Sequence, residues 1–465
     1  MGTLSTELSM RRWSAIFALA LAGCEINPLF DPDATAGSGT DTGPGPIADS
    51  GTGFDSGGAD ESGGPGEPGG PRPDPCAPLP PPTGTVITVG PEQAAELPDI
   101  VEAAPEGSTV VLTPGTYLID RALYPNAPGI TVRSSTGQPE DVLIDGQRLA
   151  STIFTIQQSD VMVAELTLAR PTDHLVHVTG SETAAADRVQ GYRLHLIDPI
   201  AAAFKVNPSY AEFPADDGTL ACSTIELTDE GRQELGEACD GVSAVAGFAT
   251  FGWTIRDNYI EGMWCSTGYG GAGIRFLETS AHTVVEHNVV QDCTQGIILG
   301  LWEDAEPRRS FDDSPCGDSY FDHQGGVVRN NMVMATGTGI AASEVGFDTG
   351  IGLWNVCGAT VVHNTVVSAI ETYNSIEYRF PNTQARVVNN LVTNEILDRD
   401  DAGVPVAGNL LAELNEFVDP LGGDVHLIDG ASAIDAGVQL GDDAVLYDID
   451  GQLRDERPDI GADER

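Results

Sequence analysis

The chain has 465 residues and carries 70 acidic against 22 basic side chains, a formal net charge of −48. A field of that sign excludes nucleic acid and anionic membrane surfaces as direct partners, and it disfavours polyanionic ligands unless a divalent cation bridges them. The length suits two or three ordinary domains or one elongated repeat domain.

Arg11 and Arg12 precede an apolar run from Trp13 to Leu21, too short to span a bilayer and built like the core of a signal peptide. It ends in Leu21-Ala22-Gly23-Cys24, which resembles the bacterial lipobox. That resemblance implies removal of residues 1–23, lipidation of Cys24, and a place at the outer membrane or cell surface, with the membrane met through the lipid anchor only. Residues 24–83 then read as a disordered tether: the 45 residues 31–75 include 13 glycines and 8 prolines. So few apolar groups cannot offset the entropy of ordering. A flexible segment of that length spans ~35–40 Å.

From residue 84 the composition changes to short β-branched runs separated by glycine and asparagine. Pro91 to Ala104 has the apolar spacing of a short amphipathic helix, placed to cap an open end. Beyond it one phrase recurs: apolar, any, [Asp/His/Asn], Asn, any, apolar. It carries Asn258, Asn288, Asn331, Asn364 and Asn390, with a looser copy at Asn409, at spacings of 30, 43, 33, 26 and 19 residues. A fixed phrase at variable spacing describes one structural coil with loops of differing length. A coil cannot bury its own apolar face, so coils stack, and asparagines at one corner can bond into a ladder. His287 and His363 fill the position before the ladder asparagine and read as corner residues. The fold expected is all-β: a right-handed parallel β-helix over 84–415, with a short N-terminal capping helix and a C-terminal closing segment at 416–465.

The run Gly107 to Tyr117 resembles the opening strand of pectin-lyase-like β-helices. The tail, with Ala433-Ile-Asp-Ala-Gly437, Asp448-Ile-Asp-Gly451 and Asp459-Ile-Gly-Ala-Asp-Glu464, resembles the closing segment of surface-anchored bacterial β-helix proteins. In such a fold the strand after the asparagine corner and the following turn presents an outward column, here Thr155, His177, Lys205, Ser243, Arg275, then Glu377 and Arg379. Lys205 is the only lysine in the chain. Resemblance to pectate and alginate lyases makes Lys205, Arg275 and His177 candidate catalytic residues, because a cationic neighbour lowers the pKa of a lysine base. Glu377, Arg379 and Trp302 are candidate substrate contacts, and Asp198 and Glu278 candidate oxygen ligands for calcium. No lyase signature can be quoted, and Asp216-Asp217 and Asp312-Asp313 lack the setting of a polygalacturonase site and read as loop acids.

Eight cysteines leave seven if Cys24 carries lipid, so at least one is unpaired or bonds outside the chain; Cys222 and Cys239 flank one insertion and form a candidate disulfide. The functional expectation is a monomeric, lipid-anchored β-helix that engages polysaccharide or cell-surface glycan. The alternatives are a calcium-assisted lyase of uronate polymers and a non-catalytic structural or adhesive surface protein.

Overall fold

The computed structural model of the chain describes residues 72, 74–209, 213–239, 241–311, 314, 316–317, 319–337, 339–441 and 445–465. The signal segment, Cys24, the tether up to residue 71, and Asp312-Asp313 lie outside the described residues.

Three parallel sheets wind along the chain, each coil contributing one strand to each. The first sheet begins at Val86–Val89, the second at Gly115–Leu118 and the third at Thr152–Ile156; they hold 14, 11 and 9 strands among the described residues. The apolar positions of the recurring phrase stack in register. On the first sheet Ile255, Val285, Val328, Val361 and Val387 follow one another, and all are fully buried. On the second sheet Ile260, Val290, Val333, Val366 and Val392 do the same. Each such side chain contributes about 1.5–3 kcal/mol on burial. The third sheet adds Phe154, Phe204 and Phe276, with the Trp253 ring packed edge-on against Phe204 at 5.8 Å.

The corner between the first and second sheets is made by two residues. The first is left-handed: Asp257, His287, Asn330, His363 and Asn389 have φ between 50° and 56°. Polar residues bear this conformation at the lowest cost, which is why Asp, Asn and His recur there. The second is the ladder asparagine. The Asn258 and Asn288 side chains each donate to the next amide oxygen, Asn288 Oδ1 at 2.9 Å and Asn331 Oδ1 at 3.0 Å; Asn331, Asn364 and Asn390 continue to Asn409. Each amide oxygen also accepts the backbone N–H of the preceding ladder residue. Asn331→Ala orphans the Asn288 donors and the Val285 carbonyl in a dry corner. The expected cost is about 3 kcal/mol, read as a lower denaturation midpoint. Asn331→Asp is expected to cost more, since it replaces the donor with a buried charge.

Two segments cover the outside of this corner. Residues 72–80 form a strap across it: Arg72 pairs with Asp257, Leu79 N–H donates to Glu165, Arg133 donates to the Leu79 and Pro80 carbonyls, and Tyr192 donates to the Pro75 and Ala77 carbonyls. A Cys76–Cys222 disulfide fastens it. The candidate pair Cys222–Cys239 is therefore corrected. Cys222 sits at the left-handed corner under the strap, whereas Cys239 ends a helical excursion (Asp229–Leu235 and the turn after it) and bonds Cys265. Cys316 bonds Cys357, and Cys293 is free and buried.

The C-terminal segment does not plug the end of the solenoid. It makes an antiparallel hairpin, Phe417–Asp419 with Asp424–Leu427, and packs Phe417, Val425, Leu427 and Ile460 on Met332, Met334, Val367 and Leu391, which point outward from the second sheet. Arg454 locks it there, donating to Glu464, to the Gly461 carbonyl and to Asn330. At the other end the capping helix is shorter than its apolar spacing implies. Pro91–Gln93 forms a 3-10 turn and the α-helix spans only Leu97–Glu102, because Pro98 fits the first turn of a helix but not its interior. Leu97, Pro98 and Val101 are the residues it buries, and Ala104 is buried just beyond its end.

Candidate functional site

The outer face of the third sheet receives no hydrogen bond from the strap or the closing segment among the described residues. The outward column along it is Thr155, His177, Lys205, Ala246, Arg275, Ile298, Gly352, Glu377 and Leu397. Ser243 is corrected: it pairs with Ala202, three residues earlier in its strand than Ala246. The strand Ser243–Phe248 is so rich in small residues that its alternation cannot be read.

The small side chain of Ala246 leaves space between two cations. Lys205 Nζ lies 5.4 Å and Arg275 Cζ 5.7 Å from the centre of the Phe248 ring, so both flank one aromatic face. Burial pushes the Arg275 pKa down to about 10. His177 stands in register beside Lys205 and meets Asn207 Oδ1 at 2.8 Å through Nε2. A carbonyl oxygen only accepts, so Nε2 carries the proton and Nδ1 the lone pair. His174, 5.3 Å from the His177 ring, accepts the Ala202 N–H at Nδ1 and faces Asp173 at 3.4 Å. Burial lowers the pKa of His174 to about 2 and of His177 to about 4, with Lys205 adding to both. The same burial raises that of Asp173, against the pull of Lys205. At neutral pH two uncharged imidazoles therefore adjoin Lys205 and Arg275. Such a patch can neutralise a carboxylate and offer an uncharged nitrogen to a proton.

Lys205, Arg275 and His177 are thus brought together, along with His174, Asp173, Asn207 and Phe248. The last four were not picked out in the sequence, although His174 lies on the same strand as His177. Glu377 and Arg379 lie farther along the face, Glu377 three strands beyond Arg275 and so ~14 Å away. Glu377 is 1% exposed and accepts from Trp354 Nε1 at 2.6 Å and Arg399 at 3.1 Å, so it is an internal acceptor and not a sugar contact. Its pKa is raised by burial, with Arg399 opposing. Near it Gln295 donates to both the Tyr269 hydroxyl and Asp348, which are themselves bonded. Arg379 pairs with Asp400 at 3.5 Å and lies over Phe380. Trp302 is half-buried in the loop after the sixth strand of the sheet, its carbonyl held by Asn355.

Asp198 and Glu278 do not come together. The Asp198 carboxylate accepts from Thr228, the cap of the 229–235 helix, and Glu278 pairs with Arg308. These two residues do not fit calcium, and no step is derived through it. Asp216 is not a solvated loop acid either: it is buried and held by both Arg309 nitrogens at 2.7 and 2.8 Å.

No family model matches the chain, and no curated protein matches it by sequence. Among solved structures, a pectate lyase superposes with a TM-score of 0.55 at 13% identity, over 82% of this chain and 97% of that one. A rhamnogalacturonan lyase reaches a TM-score of 0.45 at 13% identity, over 80% and 96% of the two chains. At 13% identity the likeness to the pectate lyase concerns architecture, and the second comparison adds no argument to it. By its fold the chain is a right-handed parallel β-helix protein.

Proposed function

We propose that this is an exported, lipid-anchored protein whose third-sheet outer face binds an extended acidic polysaccharide. One observation carries the reading: in a chain of net charge −48, the single lysine and a half-buried arginine converge on one aromatic ring of that face. Farther along the sheet Arg379 and Arg399 are paired with Asp400 and Glu377, which leaves Lys205 and Arg275 as the cationic patch of this face. A carboxylate of such a polymer matches this pair of cations, and sugar CH groups match the Phe248 ring. Three disulfides support a place outside the reducing cytoplasm, and lipidated Cys24 would supply the anchor. The test is affinity electrophoresis of the full chain through polygalacturonate, alginate and a neutral glucan. Retardation by the acidic polymers alone, lost in Arg275→Ala, is expected; equal retardation by the neutral glucan, or none at all, sinks the reading and favours a structural or adhesive role.

A second reading is β-elimination, favoured by Lys205 lying beside Arg275 and two neutral imidazoles. In its deprotonated form Lys205 Nζ would take the proton from the carbon bearing the carboxylate, which Arg275 neutralises. The electron pair then forms the double bond as the glycosidic C–O bond breaks, and the leaving oxygen takes a proton from solvent. Ultraviolet-absorbing unsaturated product, abolished in Lys205→Ala beyond any accompanying loss of polymer retardation, is the expected result. Product formation unchanged in that variant excludes Lys205 as the base.

A further inference from the structure

The closing segment is rich in acids, and most are occupied. Asp448 accepts the N–H groups of Gln452 and Glu464, Asp459 those of Asp435 and Arg465, and Glu464 those of Asp455 and Asp459. These bonds hold the turn at 447–451 and the tail at 459–465 against each other, with Ile449 N–H donating to the Ala462 carbonyl. Asp450 and Asp463 are left facing one another across that junction. His426, from the hairpin strand Asp424–Leu427, enters between them.

One ligand atom from each of His426, Asp450 and Asp463 lies within 4.8 Å of the others, the only such group among the described residues. Asp463 is 3% exposed, and its Oδ2 takes the Leu427 N–H at 2.7 Å. His426 Nε2 lies 3.2 Å from Asp450 Oδ2, and Nδ1 lies 2.7 Å from Asp424, which fixes the ring from behind as an outer carboxylate fixes a ligating histidine. A protonated His426, with the Arg465 charge acting on Asp463, would still leave three carboxylates against two cations.

We propose that His426 Nε2, Asp450 and Asp463 bind a divalent transition-metal ion of the zinc class. The imidazole ligand selects zinc or its neighbours over calcium, which takes only oxygen. The ion joins three separate pieces of the closing segment, the hairpin strand, the 447–451 turn and the tail. It does so where the Arg72 N–H meets the Gly451 carbonyl at 3.0 Å, so it clasps the segment beside the point where the strap begins. Its role is structural, and it is independent of the third-sheet face.

The experiment is calorimetric titration of the chelator-treated full chain with zinc, manganese and calcium chlorides, with thermal melting in parallel. One equivalent of zinc is expected to bind in preference to calcium and to raise the melting temperature. Asp450→Asn should weaken zinc binding by more than about a hundredfold, beyond the loss of an outer partner, and remove the thermal shift. Asp450 is half-exposed and holds up no backbone, so this variant folds; His426→Gln should behave alike. No zinc binding by the wild type, calcium preferred to zinc, or zinc binding equally tight in both variants overturns the proposal.

Discussion

Replacing Cys76 and Cys222 together by serine is expected to lower the unfolding free energy by about 5 kcal/mol, the chain-entropy value for a loop of this size. The bridge spans 146 residues, against 26 for Cys239–Cys265 and 41 for Cys316–Cys357, so among the three it restricts the unfolded chain most. In the same treatment the 26-residue bridge is worth about 3.5 kcal/mol. The longer bridge also holds the strap whose carbonyls satisfy Arg133, Arg193 and Tyr192. Freed, those side chains lose their acceptors over several coils at once. Chemical denaturation of the two double variants, Cys76→Ser with Cys222→Ser and Cys239→Ser with Cys265→Ser, checks the order. A larger loss from the shorter bridge contradicts it. A fragment beginning at residue 84 would lack the strap and its bridge to Cys222.

Acid is expected to destabilise the fold steeply below pH 6.5. His174, His323 and His363 are buried, and burial holds their pKa values down to about 2, 3 and 3. The unfolded chain takes protons on these rings near pH 6.5, where the folded chain does not. Their contribution is therefore fully present above pH 6.5 and is lost as pH falls toward 3. Each ring gives a slope of about 1.4 kcal/mol per pH unit, so the three give about 4. Buried carboxylates whose pKa is raised, Asp322 and Asp348 among them, act in the opposite direction as they protonate. The differential measurement isolates the rings: His323→Gln should reduce the pH slope of stability between 5 and 6.5 by about 1.4 kcal/mol per pH unit. An unchanged slope means that His323 is not held neutral.

The recurring phrase made the solenoid legible because every one of its positions has a separate physical job. The flanking valines and isoleucines are the stacked core, the first polar residue is the left-handed corner, and the asparagine is the rung of the ladder. The outward column was readable where large apolar residues alternate with polar ones, as in Phe204-Lys205-Val206, and unreadable in Ser243–Phe248, where small residues erase the pattern. What no local pattern carries is contact between distant segments. The strap of residues 72–80 looks like the end of a Gly/Pro-rich tether, yet its backbone is held by Glu165, Arg133 and Arg193. Cys222 finds a partner 146 residues away for that reason. Likewise Glu377 shows the spacing of an outward residue, and only the Trp354 and Arg399 side chains show that it is covered. The His426 cluster draws on three stretches 13 to 37 residues apart, with no spacing typical of a metal motif.

Hydrogen–deuterium exchange of the full chain with and without an oligogalacturonate tests the central claim most directly. Slower exchange is expected in the third-sheet strands Ala202–Asn207, Ser243–Phe248 and Ala272–Leu277, with no change in the first-sheet strands of the same coils and loss of the effect in Arg275→Ala. Protection confined to the first or second sheet, or protection that survives Arg275→Ala, would contradict it.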